Sequence, residues 1–377
     1  MRIALVGPAH PFKGGGAAHT TELAHRLAGR GHDVTIESWS RQYPRMLYPG
    51  QPTVDSPEVR LFEPTRRELS WRRPDGWVRV GRRLARTADA VVLCVLSPVQ
   101  VPAYLAIRYG LAGSRGTRTV ALCHNVLPHE PRFFDTALMR ALLRRTDGVL
   151  VHSERQAQLA GSLAPVAARA VTMPPHLPED AQRGPVSGAG TASDAAAGAR
   201  WSPRRRLLFF GIVRPYKGLD VLLRALAQGP PDVSLTVAGR VLGWHRADRG
   251  PHRRARPDGP GGAAARLRAG RPGAGTVRCG GRAGAALPRG DGLAERVDGP
   301  RPRGPRHRHP GGALADHVRD GVDGLLCDPE DVAGLADTLH RFYEPGEPAR
   351  LRAGVEAVDP EPYWTSYVDE LVDLAGS

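Results

Sequence analysis

The sequence predicts an α/β protein built from two tandem Rossmann-like domains. Three observations carry the prediction. Short apolar runs alternate with longer amphipathic stretches; a glycine-rich turn separates the first run from its helix; and the same alternation restarts after residue 205, beyond a Gly/Ala/Ser/Pro-rich stretch. A chain of 377 residues has the length for two domains, each with its own core.

The elements follow in order. RIALVGP (2–8) is a compact apolar strand and not the start of a secretory signal, having one basic residue and a very short apolar run. GGGAAHTTELAHRLAGRGH (14–32) is a glycine loop opening a helix, with Leu23 and Leu27 on one face and Gly31 as its stop. DVTIESW (33–39) closes the first βαβ unit. ADAVVLCVLS (88–97), RTVALCHN (118–125) and TDGVLVHS (146–153) are near-continuous apolar strands separated by helical patterns, which implies a parallel sheet covered on both faces. The N-terminal domain spans 1–178, and 179–202 is a linker or surface loop. RLLFFGIV (206–213), the helix GLDVLLRALAQ (218–228) and VSLTVAG (233–239) begin a second domain over 203–345. Residues 346–377 form a C-terminal helical extension.

Composition narrows the class. The four cysteines, Cys94, Cys123, Cys279 and Cys327, form no CxxC pair, so neither a zinc site nor a disulfide framework is expected, and a reducing cytoplasm fits. No stretch reaches the roughly 18 apolar residues that span a membrane. The formal charge of +15 is concentrated: residues 240–312 hold 17 arginines and no lysine against 5 acidic residues. That segment also has no Ile, Phe, Tyr or Met and consists mostly of Arg, Gly, Ala and Pro, so burial cannot offset its ordering entropy. Disorder, or an incomplete second domain, is expected there.

Open parallel sheets place their chemistry in the loops at strand carboxyl ends. The first such loop carries Gly14, Gly15 and Gly16, which let backbone N–H groups approach an anion at a helix N-terminus; a plain glycine connector is the alternative. The second places Arg214 and Lys217 between a strand and a helix start, suited to a diphosphate that gains charge as it leaves, or to solvent. The third brings His124 and Asn125 directly after a buried strand, where a histidine is structural or catalytic.

In order, GPAHPFKGGGAAHTTELAHRLAGRGHDVTI, CHN, VLVHSE, FFGIVRPYKGLDVLLRAL, LTVAG and LADHVRDGVDGLLCDPEDVAGLADTL resemble the retaining glycosyltransferases of family 4, which have the GT-B fold. The resemblance covers nearly the whole chain outside about 240–310. It implies a nucleotide-diphosphate sugar held in the cleft between domains, with Gly14, Gly15, Gly16, Arg214 and Lys217 around its phosphates. His124 would stand beside the donor sugar as the catalytic residue, with His19 and Asn125 on the acceptor side or in support. Those cations take the role a magnesium ion plays elsewhere, so no metal or cofactor is implied. Transfer would proceed with retention to a glycan, lipid or small-molecule acceptor. The helix EPYWTSYVDELVDLA (361–375) looks like the family element that crosses back to the first domain.

The sequence departs from the family within 240–312, where the two glutamates eight positions apart that hold the donor's ribose and sugar have no counterpart. The Arg/Gly/Pro/Ala text there is what a GC-rich coding region yields when read one nucleotide out of register; a natural Arg/Gly-rich insert is the alternative. On the first account the chain as written is expected to be a poor catalyst; on the second the arginine-rich run is a working part of the enzyme.

Two rival classes fit less well. A nicotinamide-dependent oxidoreductase would want GxGxxG after the first strand, and the glycine spacing fails, although Glu37 could pose as the ribose-binding acid. Nucleic-acid binding through the Arg/Gly segment lacks stacking platforms, Trp244 being its only aromatic, so no specific nucleic acid is expected. Residues 65–86, with eight arginines, two acidic residues and two tryptophans, suit peripheral contact with an anionic membrane surface; a solvated basic helix is the alternative.

Overall fold

A computed structural model describes residues 1–42, 53–54, 60–112, 116–128, 132–175, 205–210, 213, 217–238, 264–268, 278–279, 318–356 and 358–376. The chain divides into two units, Met1–Ala192 with Val358–Ser377, and Ser193–Ala357.

In the first unit, β1 (Arg2–Val6), β2 (Asp33–Arg41), β3 (Thr65–Ser70), β4 (Ala90–Val95), β5 (Arg118–Cys123), β6 (Gly148–Val151) and β7 (Ala167–Ala170) form one sheet. Its order is β3-β2-β1-β4-β5-β6-β7, and every pairing is parallel. Side chains along the central strands alternate between two cores, as the pleat requires. Ala4, Val6, Val91, Leu93, Val95, Ala121 and Cys123 point into one core, packed by α2 (Asp75–Thr87), α3 (Val101–Leu111), α4 (Asp135–Leu143) and α5 (Glu154–Leu163). Ile3, Leu5, Val92, Cys94, Val120, Leu122 and Leu150 point into the other, which α1 (Gly15–Gly29) covers together with the chain's last helix, Glu361–Gly376. That helix brings Trp364, Tyr367, Val368, Leu371 and Leu374 down on β4, β5 and β6.

Residues 65–86 are not one basic helix. The run divides into the edge strand β3 and, after Pro74, the helix α2, which crosses α3 backbone to backbone. A Cβ on Gly81 would lie 2.1 Å from the Ile107 carbonyl oxygen, and one on Gly110 would lie 2.5 Å from that of Val78, so glycine at both positions sets the helix separation.

In the second unit, β8 (Arg206–Phe210) and β9 (Ser234–Ala238) are parallel and joined by α6 (Leu219–Gln228). Within the arginine-rich segment, β10 (Ala264–Arg268) pairs antiparallel with β9, and β11 (Arg278–Cys279) pairs antiparallel with β10. The other residues of 240–312, and the register shift proposed for them, lie outside the described residues. Helix α7 (Val332–Phe342) buries Leu335, Ala336, Leu339 and Phe342 in a core with Leu207, Phe209, Leu222 and Leu226; α8 (Glu347–Ala353) adds Leu351. The chain's last helix is accordingly α9.

Candidate functional site

Because every strand of the first sheet runs the same way, the loops after β1, β4, β5 and β6 gather at one end. The loop after β1 is held firmly. The Ala9 N–H donates to Ser38 Oγ at 3.2 Å and the His10 N–H to Thr21 Oγ1 at 2.9 Å, and the His10–Pro11 bond is cis.

The three glycines that follow do different work. Gly14 has φ 112° and is the N-cap of α1, a conformation that favours glycine. Gly16 is a packing residue: a Cβ there would lie 2.4 Å from Leu96 Cδ2, at the carboxyl end of β4. Gly15 has open space around it, and the first-turn N–H groups of Gly15 and Gly16 precede the first intrahelical bond, Ala17 N–H to the Gly14 carbonyl at 3.0 Å. An anion can approach that turn without displacing a side chain.

His124 follows β5 and is half-buried. Its N–H donates to the Val95 carbonyl at 3.0 Å, which fixes the turn to the end of β4. Two further imidazoles close on it: His19, one turn into α1, with ring centroids 5.0 Å apart, and His152, just after β6, at 5.1 Å. Trp364 stacks on His19 at 5.4 Å, and Tyr367 stacks on His152 at 5.8 Å and meets His19 edge-on. Burial, and then the neighbouring His152, push the His124 imidazole down to about 3; burial pushes His152 down to about 4. Both rings are therefore neutral at physiological pH. Nε2 of His124 is sealed from solvent with no hydrogen-bond partner among the described residues; Nδ1 is not sealed.

Asn125 is tied into the same turn. Gln156, in the first turn of α5, donates through Nε2 to Asn125 Oδ1 at 3.3 Å and to the His124 carbonyl at 3.4 Å, and accepts the Val126 N–H through Oε1 at 2.8 Å. Ser153 caps the helix, its Oγ accepting the Gln156 N–H.

The structure thus brings His19, His124 and Asn125 together and places Gly14, Gly15 and Gly16 at the mouth of the same helix. It adds His152 and Gln156, which the sequence reading did not single out. Lys217 lies in the second unit immediately before α6, where Gly218 takes φ 68°. Arg214 lies outside the described residues.

Glu37 is not available to a ribose. Its side chain is 1% exposed; Oε2 accepts from Arg83 Nη2 at 2.6 Å, and Arg83 also donates to Glu68 at 2.7 Å. Burial outweighs Arg83 and holds the Glu37 carboxyl above its ordinary range. Among the described residues no group of three His, Cys, Asp or Glu is placed to hold a metal, and no helix is long and apolar enough to cross a membrane.

Residues 13–177 match the family model described as Glycosyltransferase Family 4. Over that stretch, less than half of the chain, the N-terminal unit is similar to that glycosyltransferase family. The solved structure of HepE from Anabaena, determined in complex with UDP and glucose, is similar over 99% of both chains at 12% identity and a TM-score of 0.55. A mutant of S. aureus TarM, solved with Fondaparinux, α-GlcNAc-glycerol and UDP, is similar over 100% of both chains at 9% identity and a TM-score of 0.53. No curated protein matches the sequence. The fold is GT-B-like, and the sheet that carries the His19, His124 and His152 cluster is its N-terminal Rossmann-like sheet.

Proposed function

We propose that the protein transfers a sugar from a nucleotide-diphosphate sugar to an acceptor, with retention of anomeric configuration. The observation that carries this reading is the neutral His124 at the carboxyl end of β5, within the stretch that matches the glycosyltransferase family and beside a glycine-opened helix N-terminus. A neutral imidazole can exchange hydrogen bonds with a sugar hydroxyl through Nδ1, the nitrogen that the cluster leaves unsealed, without placing a full positive charge beside the reacting carbon. Retention means that the acceptor attacks from the side on which the diphosphate leaves, through an oxocarbenium-like state, so the departing phosphate can itself receive the acceptor's proton.

In this reading charge grows on the leaving diphosphate, and preorganised donors there contribute most at the transition state. On the first unit the turn from Gly14 to Gly16 offers backbone N–H groups; on the second, Arg214 and Lys217 offer cations, and no metal or other cofactor is required. His19 and His152 keep the His124 ring in place, and Asn125 with Gln156 holds its backbone. UDP is present in both similar solved structures, which makes UDP-sugars the first donors to test. We further propose that residues 65–86 lie against an anionic membrane at the cytoplasmic face.

The test is incubation of the full chain with UDP-sugars and lipid or glycan acceptors, following UDP release and the anomeric configuration of the product by NMR. Product of retained configuration, lost in His124→Ala, is the expected result. An inverted product, or equal turnover by His124→Ala, would overturn the reading.

A further inference from the structure

A second concave site lies at the carboxyl ends of β2 and β3, against the start of α2. It is a cavity of about 440 Å³, within the ordinary range for small-ligand pockets, and five arginines line it: Arg41, Arg67, Arg72, Arg73 and Arg79. The two acidic residues on its wall are already engaged. Asp75 pairs with Arg79 at 2.9 Å, and Glu68 pairs at 2.7 Å with Arg83. Arg67 spends one donor on the His10 carbonyl at 2.9 Å, which ties this wall to the loop after β1. Arg72 lies over the Trp71 ring at 5.1 Å. Among the described residues, Arg41, Arg72 and Arg73 have no carboxylate partner.

Three exposed guanidinium groups without a carboxylate partner share the wall of one cavity. Their mutual repulsion is relieved by an anion held between them, and a monovalent carboxylate would leave two of the charges unanswered. Guanidinium forks match the oxygens of phosphate in pairs. We propose that this cavity seats a phosphate or diphosphate group of the acceptor. The assignment of that group to an acceptor rests on the transferase reading; the anion seat itself does not. The phosphate can belong to a lipid headgroup or to a soluble molecule, the shared chemistry being a multiply charged phosphoryl group presented to Arg41, Arg72 and Arg73.

The experiment uses the full chain and pyrophosphate as probe. Because the arginines of 240–312 will also attract anions, the readout must be local: amide hydrogen exchange over 70–80 and the fluorescence change as Arg72 is drawn off Trp71. Saturable slowing of exchange in 70–80 is expected, and Arg41→Gln with Arg73→Gln should weaken it at least about 10-fold, since each removes a charge-assisted donor from an exposed position without touching a core contact. Vesicles of phosphatidylglycerol that compete with pyrophosphate identify a lipid source; vesicles that do not compete identify a soluble one, and both outcomes support the seat. No slowing in 70–80, or slowing unchanged in the double variant, would overturn it. Pyrophosphate binding that persists while no UDP-sugar is turned over would defeat the transferase reading and leave the seat standing.

Discussion

Acid should destabilise the first unit well above the pH at which its carboxylates titrate, through the histidine cluster. In the native state His124 and His152 are held down to about 3 and about 4 by burial, while an unfolded chain returns them to about 6.5. A depressed imidazole contributes stability above the unfolded value, and that stability is lost as pH falls below it, because the unfolded chain then takes up a proton that the folded one refuses. The slope is about 1.4 kcal/mol per pH unit for each ring, so moving from pH 7 to pH 5 costs about 2 kcal/mol for each and about 4 kcal/mol for the pair. Glu37 works in the opposite sense: its raised carboxyl contributes on the acid side and loses that contribution as pH rises. It is common to all variants and cancels in a difference. The assay is amide hydrogen exchange of Val120–Leu122 in β5 and Gly148–Leu150 in β6 at the two pH values, corrected for intrinsic rates, in the native protein and in His124→Asn/His152→Asn. The native protein should lose protection as pH falls and the double variant should lose far less. Equal losses in both would show that the two imidazoles are not shielded, and the neutral His124 on which the proposed chemistry depends would fall with them.

Further outcomes follow from the packing. Gly81→Ala or Gly110→Ala forces two backbones apart at the α2–α3 crossing, so a thermal midpoint lowered by about 1–3 kcal/mol equivalent is expected, with the double variant costing less than the sum because one separation relieves both clashes. Arg83→Ala leaves the buried Glu37 carboxylate with only Arg66, 3.8 Å away, and should cost about 3 kcal/mol in urea unfolding; Glu37→Gln in the same chain should restore much of it. Tyr367→Ala should cost about 3–5 kcal/mol and, by wetting the cluster, raise the His152 titration seen by NMR toward ordinary histidine values. Tyr367→Phe should leave stability unchanged or higher, because that hydroxyl is buried with no partner among the described residues; a clear loss would reveal a hydrogen bond there.

What the sequence made legible was what local pattern can carry. β4 is buried at all six positions, and a strand covered on both faces reads as a continuous apolar run. The edge strand β3 is different: TRRELS keeps Arg66, Arg67 and Glu68 at the surface, and a charged edge has no alternation to betray it, so the run reads as part of a basic helix. His124 was visible because it ends a buried strand. His152 ends the next one in the same way, but its significance lies in ring contacts with His19 and His124 across β5, β6 and α1, and no spacing in the chain announces those. Gln156 was hidden for the same reason, since its partners lie about thirty residues away. Gly81 and Gly110 look like helix-weakening residues until the crossing that needs them is known.

The C-terminal helix decides whether the candidate site has the chemistry assigned to it. Among the described helices, α1 and α9 cover one face of the first sheet, and α9 delivers the two aromatic rings that lie on His19 and His152. Gly148 shows how closely it docks, since a Cβ there would lie 2.5 Å from Leu374 Cδ1. Its outer face is pinned by charge pairs, with Arg26 donating to Glu361 at 2.6 Å and Arg169 to Glu370 at 3.0 Å. Those surface pairs are worth little individually and serve mainly to fix register. The larger contribution is burial of Trp364, Tyr367, Leu371 and Leu374, and with it the exclusion of water that keeps His124 and His152 uncharged. The neutral state of the histidine beside the glycine turn is therefore a property of residues more than two hundred positions away, and a chain lacking 361–376 would lose the electrostatics of its site together with one wall of its core.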